Sequence, residues 1–481
     1  MNEKIVQDYT GPDLCKLQAH EVVDLLKRRE ISPKDLLDAS RQRHSETDPA
    51  INAMPVACFE RAEEASRHLP ESAFEGRGVL HGLPVGIKDL SAVKGVRTTW
   101  GTPALADFVP DKSDLLVELI ETRGGLVVGK TNTPEFGAGG NTFNAIYGPT
   151  RNPWDTRLTP AGSSGGAAAQ LITGQTWLSH GSDHGGSLRT PASFCGVVGL
   201  RPSPGLVAGG PAIAGFITEG AQGPMARSVT DCALFLDTMS GYDQRYPISY
   251  PADPKPYVDF VERATPQGLR IAYTADMNGQ CEVDPEVRTH IEAALVDMER
   301  AGAAVVEARV KLDGLKKAYL VQRGLLWATL MRDIAPEVRA GFKETLENNV
   351  RYGLALTMDD IVDSQLVRSR IYDEMLRLFE SCDVLASPVV GCMPHPVETE
   401  WVREIGGKPL NHYMDWLSFA FLATAVGLPA ISVPVGLGPR GLPVGLQLIG
   451  APRSEGALLA AARAVEMVFD GPLPVIDPKC P

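Results

Sequence analysis

Apolar residues change their spacing twice along this chain. Through the first 70 residues they recur at helical intervals. Leu14, Leu17, Val22, Val23, Leu25 and Leu26 form one stripe, and Ser32-Pro33 opens a second helix with Leu36 and Leu37 on its inner face. From Gly78 they gather into short runs closed by glycine and proline, at 83–87, 126–128 and 197–200, with helical stretches at 114–122 and 167–172 between them. Between about 241 and 400 the chain is more charged and more helical, notably at 285–300 and 359–380, with strands at 271–273 and 383–386. Buried-strand texture returns at 430–435 and 442–449, and an amphipathic helix closes the pattern at 455–468. Strands alternating with helices predict an α/β fold, a layered α/β/α sandwich whose sheet is covered by helices on both faces. No low-complexity linker or internal repeat divides the chain. The expectation is one domain over 1–481, with a chemical core at about 78–240 and a variable substrate cap at about 241–420.

Composition narrows the function classes. Apolar residues at 44% and charged residues at 22% suit a globular enzyme, and 481 residues can bury a large core. The net charge of −13 argues against a nucleic-acid partner, which selects a basic face. Eight cysteines are scattered without a C-x-x-C pair, so reduced thiols are expected rather than a disulfide framework or a zinc site. Residues 1–8 lack the basic-then-apolar pattern of a secretion signal, and no run approaches the roughly 18 apolar residues of a membrane span. A cytoplasmic protein with no membrane partner is expected.

Two motifs mislead. Gly124-Gly125-Leu126-Val127-Val128-Gly129-Lys130-Thr131 matches a phosphate loop, but its β-branched run lies inside the motif and Asn132-Thr133-Pro134 follows where a helix is required. Gly162-Ser163-Ser164-Gly165-Gly166 matches a nucleophile elbow, but Arg157-Leu158-Thr159-Pro160-Ala161 before it is no strand. The histidines an elbow would need, among His290, His395 and His412, sit in no telling context.

The informative feature is a pair of glycine–serine clusters, 161–166 and 181–187, preceded by Lys88 in Leu83-Pro84-Val85-Gly86-Ile87-Lys88-Asp89. Two serines and a lysine suffice for acyl transfer if the lysine is neutral and one serine relays its proton. The glycines leave backbone N–H groups open toward a developing oxyanion.

Arg151-Asn152-Pro153-Trp154 through Gly162-Ser163-Ser164-Gly165-Gly166-Ala167-Ala168-Ala169 resembles the defining stretch of the amidase signature family. The likeness continues through Asp183-His184-Gly185-Gly186-Ser187-Leu188-Arg189 and Cys195-Gly196-Val197-Val198-Gly199-Leu200-Arg201-Pro202. It extends to 129–136 upstream and 441–448 downstream. The resemblance implies a large mixed sheet, with Ser187 as nucleophile, Ser163 as a bridging serine after a cis peptide with Gly162, and Lys88 as base. It also implies an oxyanion hole from the N–H groups of His184, Gly185, Gly186 and Ser187, and an acyl pocket lined at Gly137, where a glycine would leave room for a bulky or aromatic group. A lysine is a poor base at its ordinary pKa near 10.4, so Lys88 must be desolvated. Asp183 and Arg189 are expected to pair and hold the loop. Ser164 is expected to be structural, and the His184 side chain either binds substrate, acts as a base or does neither.

The resulting expectation is a hydrolase of C–N bonds in small-molecule amides, either aryl or alkyl carboxamides or carbamates, with neither metal nor cofactor and a homodimer allowed. The alternatives are a glutamine-hydrolysing, ammonia-releasing component of a tRNA-dependent amidotransferase and a non-catalytic binding protein. Thr190 stands where a glutamine is expected in the amidotransferase component. Trp327, Tyr372, Trp401 and Trp416 are the aromatics of the cap whose facing a sequence leaves open.

Overall fold

A computed structural model of the chain describes residues 9–210 and 213–481. Its centre is an eleven-stranded sheet. Named by first residues, the strands run in the order Val56, Gly125, Leu83, Leu178, Ala221, Val198, Ala430, Pro443, Val384, Arg270, Ala304. Gly125–Thr131, Leu83–Lys88 and Leu178–Asp183 are mutually parallel neighbours. Antiparallel pairing then runs from Leu178–Asp183 across to Val384–Pro388. Two parallel pairings finish the far edge at Arg270–Tyr273 and Ala304–Glu307. The sheet is therefore mixed.

Alternation along the strands shows that both faces are buried. Val127 joins one apolar cluster while Leu126 and Val128 join another. Ile271, Val384 and Ile431 likewise point to the opposite side from Ala272, Leu385 and Ala430. The helices that cover these faces start where local chemistry starts them. Ser32 caps Pro33–Ile51 through a reciprocal box with Asp35, with proline in the first turn. Pro285–Arg300 and Glu455–Val468 span the stretches their periodicity predicts.

Residues 241–420 are not purely a cap, since Arg270–Tyr273, Ala304–Glu307 and Val384–Pro388 extend the sheet. The cap proper is the helical layer Leu315–Met331, Glu344–Leu354 and Met358–Ser381, together with the segment from Asp415 to Val426. Tyr319 of the first cap helix stacks on Phe421 of the last, with centroids 3.9 Å apart. Among the described residues no helix is long and apolar enough to cross a membrane.

Both misleading motifs resolve as expected. Gly125–Thr131 is a buried strand, and Lys130 pairs with Asp89 at 3.0 Å inside the core. No strand leads into Gly162, and Gly165–Ile172 is a helix packed among buried residues.

Candidate active site

The site forms where parallel neighbours end. Leu83–Lys88 and Leu178–Asp183 run side by side in the same direction, so their C-terminal ends reach one edge of the sheet together. Crevices at this end are where open α/β sheets bind ligands. Lys88 is the last residue of the first strand, and Ser182 and Asp183 end the second. Ser163 and Ser164 precede the helix Gly165–Ile172, and Ser187 lies in the turn between Asp183 and the helix Arg189–Cys195. The peptide bond between Gly162 and Ser163 is cis.

Lys88 is fully buried, and its amine is surrounded by hydroxyls. Nζ lies 2.7 Å from Ser163 Oγ, 2.8 Å from Ser164 Oγ and 3.1 Å from Ser182 Oγ. Burial pushes its pKa down to about 7, although Asp183 pulls the other way. Asp183 makes no ion pair with the amine, because its carboxylate is already held elsewhere. Arg189 donates to it from Nε at 3.0 Å and from Nη2 at 2.8 Å, the pairing expected from sequence. Arg201 lies 3.5 Å away through Nη1. Burial would raise the carboxyl pKa, but the two guanidiniums hold it well below the usual range. The same carboxylate accepts the N–H groups of Gly186 and Leu188, both at 3.1 Å, and so folds the loop around itself.

That second task changes the expected oxyanion hole. The Gly186 N–H is committed to Asp183, whereas those of His184, Gly185 and Ser187 have no protein acceptor among the described residues. Three donors of the expected four therefore remain open. Gly185 also marks a close approach, since a Cβ there would lie 2.6 Å from Tyr319 Oη and 2.8 Å from Met414 Cε. The cap thus rests directly on the loop.

Ser187 keeps 9% of its surface exposed and shares with Ser163 the wall of a cavity of about 530 Å³. Lys88 Nζ reaches Ser163 Oγ, but no hydrogen bond joins the Ser163 and Ser187 hydroxyls among the described residues, so the second link of the expected relay is not formed. Catalytic hydrogen bonds commonly tighten only when substrate is bound. Gly137 lines the same cavity, but for a different reason from the one expected. Its φ of +72° favours glycine, and a Cβ there would stand 2.7 Å from Leu90 Cδ1.

Two further hydroxyls meet the amine. Ser164 braces the loop as expected, its hydroxyl donating to the Ser182 carbonyl at 3.3 Å, and it also contacts the amine. Ser182 had no expected role, although its place inside the second glycine–serine cluster was the available signal. His184 lies against the cap, with Nδ1 3.3 Å from Tyr319 Oη and 3.4 Å from Arg323 Nη1. Burial, first of all, then Arg323 and Arg201, push its pKa well below the ordinary value, so the ring is neutral. Of the four cap aromatics, Trp327 lines the catalytic cavity, Trp416 is core, Trp401 lines a second cavity and Tyr372 packs against the same core cluster that holds Trp416.

Residues 35–459 match the family model described as Amidase. The chain belongs to the amidase signature family. It is 35% identical to a glutamyl-tRNA(Gln) amidotransferase component from Anaeromyxobacter dehalogenans (strain 2CP-C) over 96% of this chain and 98% of that protein. It is 33% identical to an acylamidase of Rhodococcus erythropolis over 95% of this chain and 97% of that protein. Among solved structures, a bacterial aryl acylamidase of the amidase signature family superposes with a TM-score of 0.86 at 28% identity, over 94% of this amidase and 96% of that chain. A 6-aminohexanoate cyclic dimer hydrolase superposes with a TM-score of 0.84 at 26% identity, over 95% and 97% of the two chains. The amidase is an enzyme that hydrolyses C–N amide bonds.

Proposed function

We propose that this amidase cleaves small-molecule carboxamides, aryl or alkyl, through an acyl-enzyme on Ser187. The observation that carries the proposal is the Lys88 amine, buried among three hydroxyls with its pKa near 7. Ser187 Oγ attacks the carbonyl carbon, its proton passes to Ser163 Oγ, and the Ser163 proton passes to Lys88 Nζ. The carbonyl oxygen takes up negative charge against the open N–H groups of His184, Gly185 and Ser187. One such donor is worth about 2.7–4 kcal/mol at the transition state. Collapse of the adduct breaks the C–N bond while the relay returns its proton to the leaving nitrogen. Water, deprotonated by the same relay, then releases the acid. Carbamates fit the same chemistry: breaking their C–N bond frees the amine and leaves an alkoxycarbonyl group on Ser187, which water releases as a carbonic acid half-ester that loses carbon dioxide.

The apolar part of the cavity wall, Leu90, Trp100, Leu326, Trp327 and Leu330, suits an aryl or alkyl group. The amidotransferase reading is favoured by the amidotransferase relatives at 30–35% identity and disfavoured by Thr190. One panel separates them: anilides, primary amides, carbamates and glutamine, each offered to the purified chain. Anilide turnover that disappears in Ser187→Ala, with a mass adduct on Ser187 in the wild type, supports the proposal. Hydrolysis of glutamine alone, dependent on a partner protein, would replace it.

A further inference from the structure

The first cap helix, Leu315–Met331, places a cation in the cavity wall with no anion to meet it. Arg323 is 4% exposed. Its Nε donates to Asn349 Oδ1 at 3.0 Å and to Tyr413 Oη at 3.1 Å, Nη2 donates to Tyr413 Oη at 2.8 Å, and Nη1 reaches His184 Nδ1 at 3.4 Å. A guanidinium has five N–H groups, and beyond the bonds above only the neutral hydroxyl of Tyr319 is at hand, with no anion among the described residues. No carboxylate lies within ion-pair distance of it among them. Asp183, the nearest acidic group of the loop, is bound to Arg189 and Arg201. Burying a charge without a partner is costly, and such groups persist where something else completes them.

The neighbours have the same deficit. Arginine only donates, so His184 Nδ1 must accept and the proton of the neutral ring sits on Nε2. That nitrogen is buried without a partner, as is Nε1 of Trp327, whose ring lies 5.7 Å from the guanidinium. Three adjoining residues of one cavity wall thus offer donors and no acceptor. His184 is also the first residue of the open oxyanion loop, so the cation lies within one side chain of the reacting carbonyl.

We infer that Arg323 is a carboxylate-recognition site, and that the substrates of this amidase are amides carrying a carboxylate a few bonds from the scissile bond. The inference rests on the amide-hydrolase reading above. The planar fork of a guanidinium matches the two oxygens of a carboxylate, and the apolar walls take the remainder of the molecule.

Two matched pairs, each with and without the carboxylate, test it and show which half bears the charge. The mono-p-nitroanilide of succinic acid against butyric p-nitroanilide places the carboxylate on the acyl side, and 4-acetamidobenzoate against acetanilide places it on the amine side. Affinity is measured by titration calorimetry in Ser187→Ala, which removes turnover, and hydrolysis is measured in the wild type. The expected result is at least tenfold tighter binding of the charged member of one pair, a preference that collapses toward one in Ser187→Ala/Arg323→Gln and is partly restored in Ser187→Ala/Arg323→Lys. Equal affinities within both pairs, a preference that survives Arg323→Gln, or no binding of either carboxylate overturns the inference. Should Arg323→Gln fail to fold, the two pairs on the arginine-bearing protein still decide. A wild type that hydrolyses no member refutes the hydrolase reading separately, because the calorimetric arm does not depend on turnover.

Discussion

A neutral amine has two N–H donors and one lone pair, and Lys88 has three hydroxyls around it. Ser164 and Ser182 can accept from the amine while Ser163 donates to its lone pair, the arrangement a base needs. An ammonium there would have no lone pair to receive the Ser163 proton. Since the working form is the neutral one and its pKa is about 7, kcat/KM should fall about tenfold per pH unit below 7 and level off above it. A pH–rate profile of the wild type checks this. Lys88→Ala should lose that limb along with about 10²–10⁴-fold of rate, and Ser163→Ala should lose a similar factor. A profile with no limb near 7 would leave the amine without a part in the reaction. At this scale the sequence was legible in Lys88, Ser163 and Ser187, because family motifs single them out. It was not legible in Ser182, because a serine beside glycines is ordinarily a turn residue. Only the folded pairing of two strand ends brings its hydroxyl to the amine.

One element that carries the site reads poorly in the sequence. The helix 285–300 and the strands near 83, 126 and 430 were visible in their periodicity. Leu178–Asp183, with the sequence Leu-Ser-His-Gly-Ser-Asp, was not, because polar residues and glycine hid a strand that is nonetheless almost wholly buried. Each polar group there has an assigned partner. Ser179 Oγ accepts from Gln170 at 2.6 Å, and His180 accepts the Lys88 backbone N–H at Nδ1 and so donates from Nε2 to Gln222 at 2.8 Å. Local sequence rules fail where function is placed. The loop after this strand has no spare room under the cap. Gly185→Ala should cost about 1–3 kcal/mol of stability, as overpacking does, and should lower kcat more than it raises KM because an oxyanion donor moves. Urea unfolding beside steady-state kinetics separates the two effects. An alanine that leaves both unchanged would mean the cap yields easily.

Across the whole molecule, buried charge makes the fold dependent on a few groups. Asp183 is the shared counter-ion of Arg189 and Arg201 while tying Gly186 and Leu188 in place. Asp183→Asn keeps the shape but leaves two buried guanidiniums without an anion, a change expected to cost about 3–5 kcal/mol in urea denaturation. Acid should weaken the protein for a related reason. His180 and His395 are held neutral by burial, with pKa values near 3 and 4. In the unfolded chain each titrates near 6.5, so the unfolded state binds protons that the folded state refuses. Their contribution is complete above about pH 6.5 and is lost as pH falls toward those values, at about 1.4 kcal/mol per unit for each group. Unfolding free energies measured from pH 7 to 4 should show this slope, and His180→Asn should flatten it.

The contact of Tyr319 and Met414 with Gly185 has a practical side. Anyone redesigning what this protein accepts would find two kinds of position in the roof. Leu326, Leu330 and Ile334 border the cavity, the last two also packing on the cluster around Trp327 and Phe342, so they are the positions to vary with apolar residues in search of new scope. Tyr319 is not one of them, since exchanging it alters how tightly the amide-polarising groups are clamped. Libraries built there should trade speed for breadth at every step.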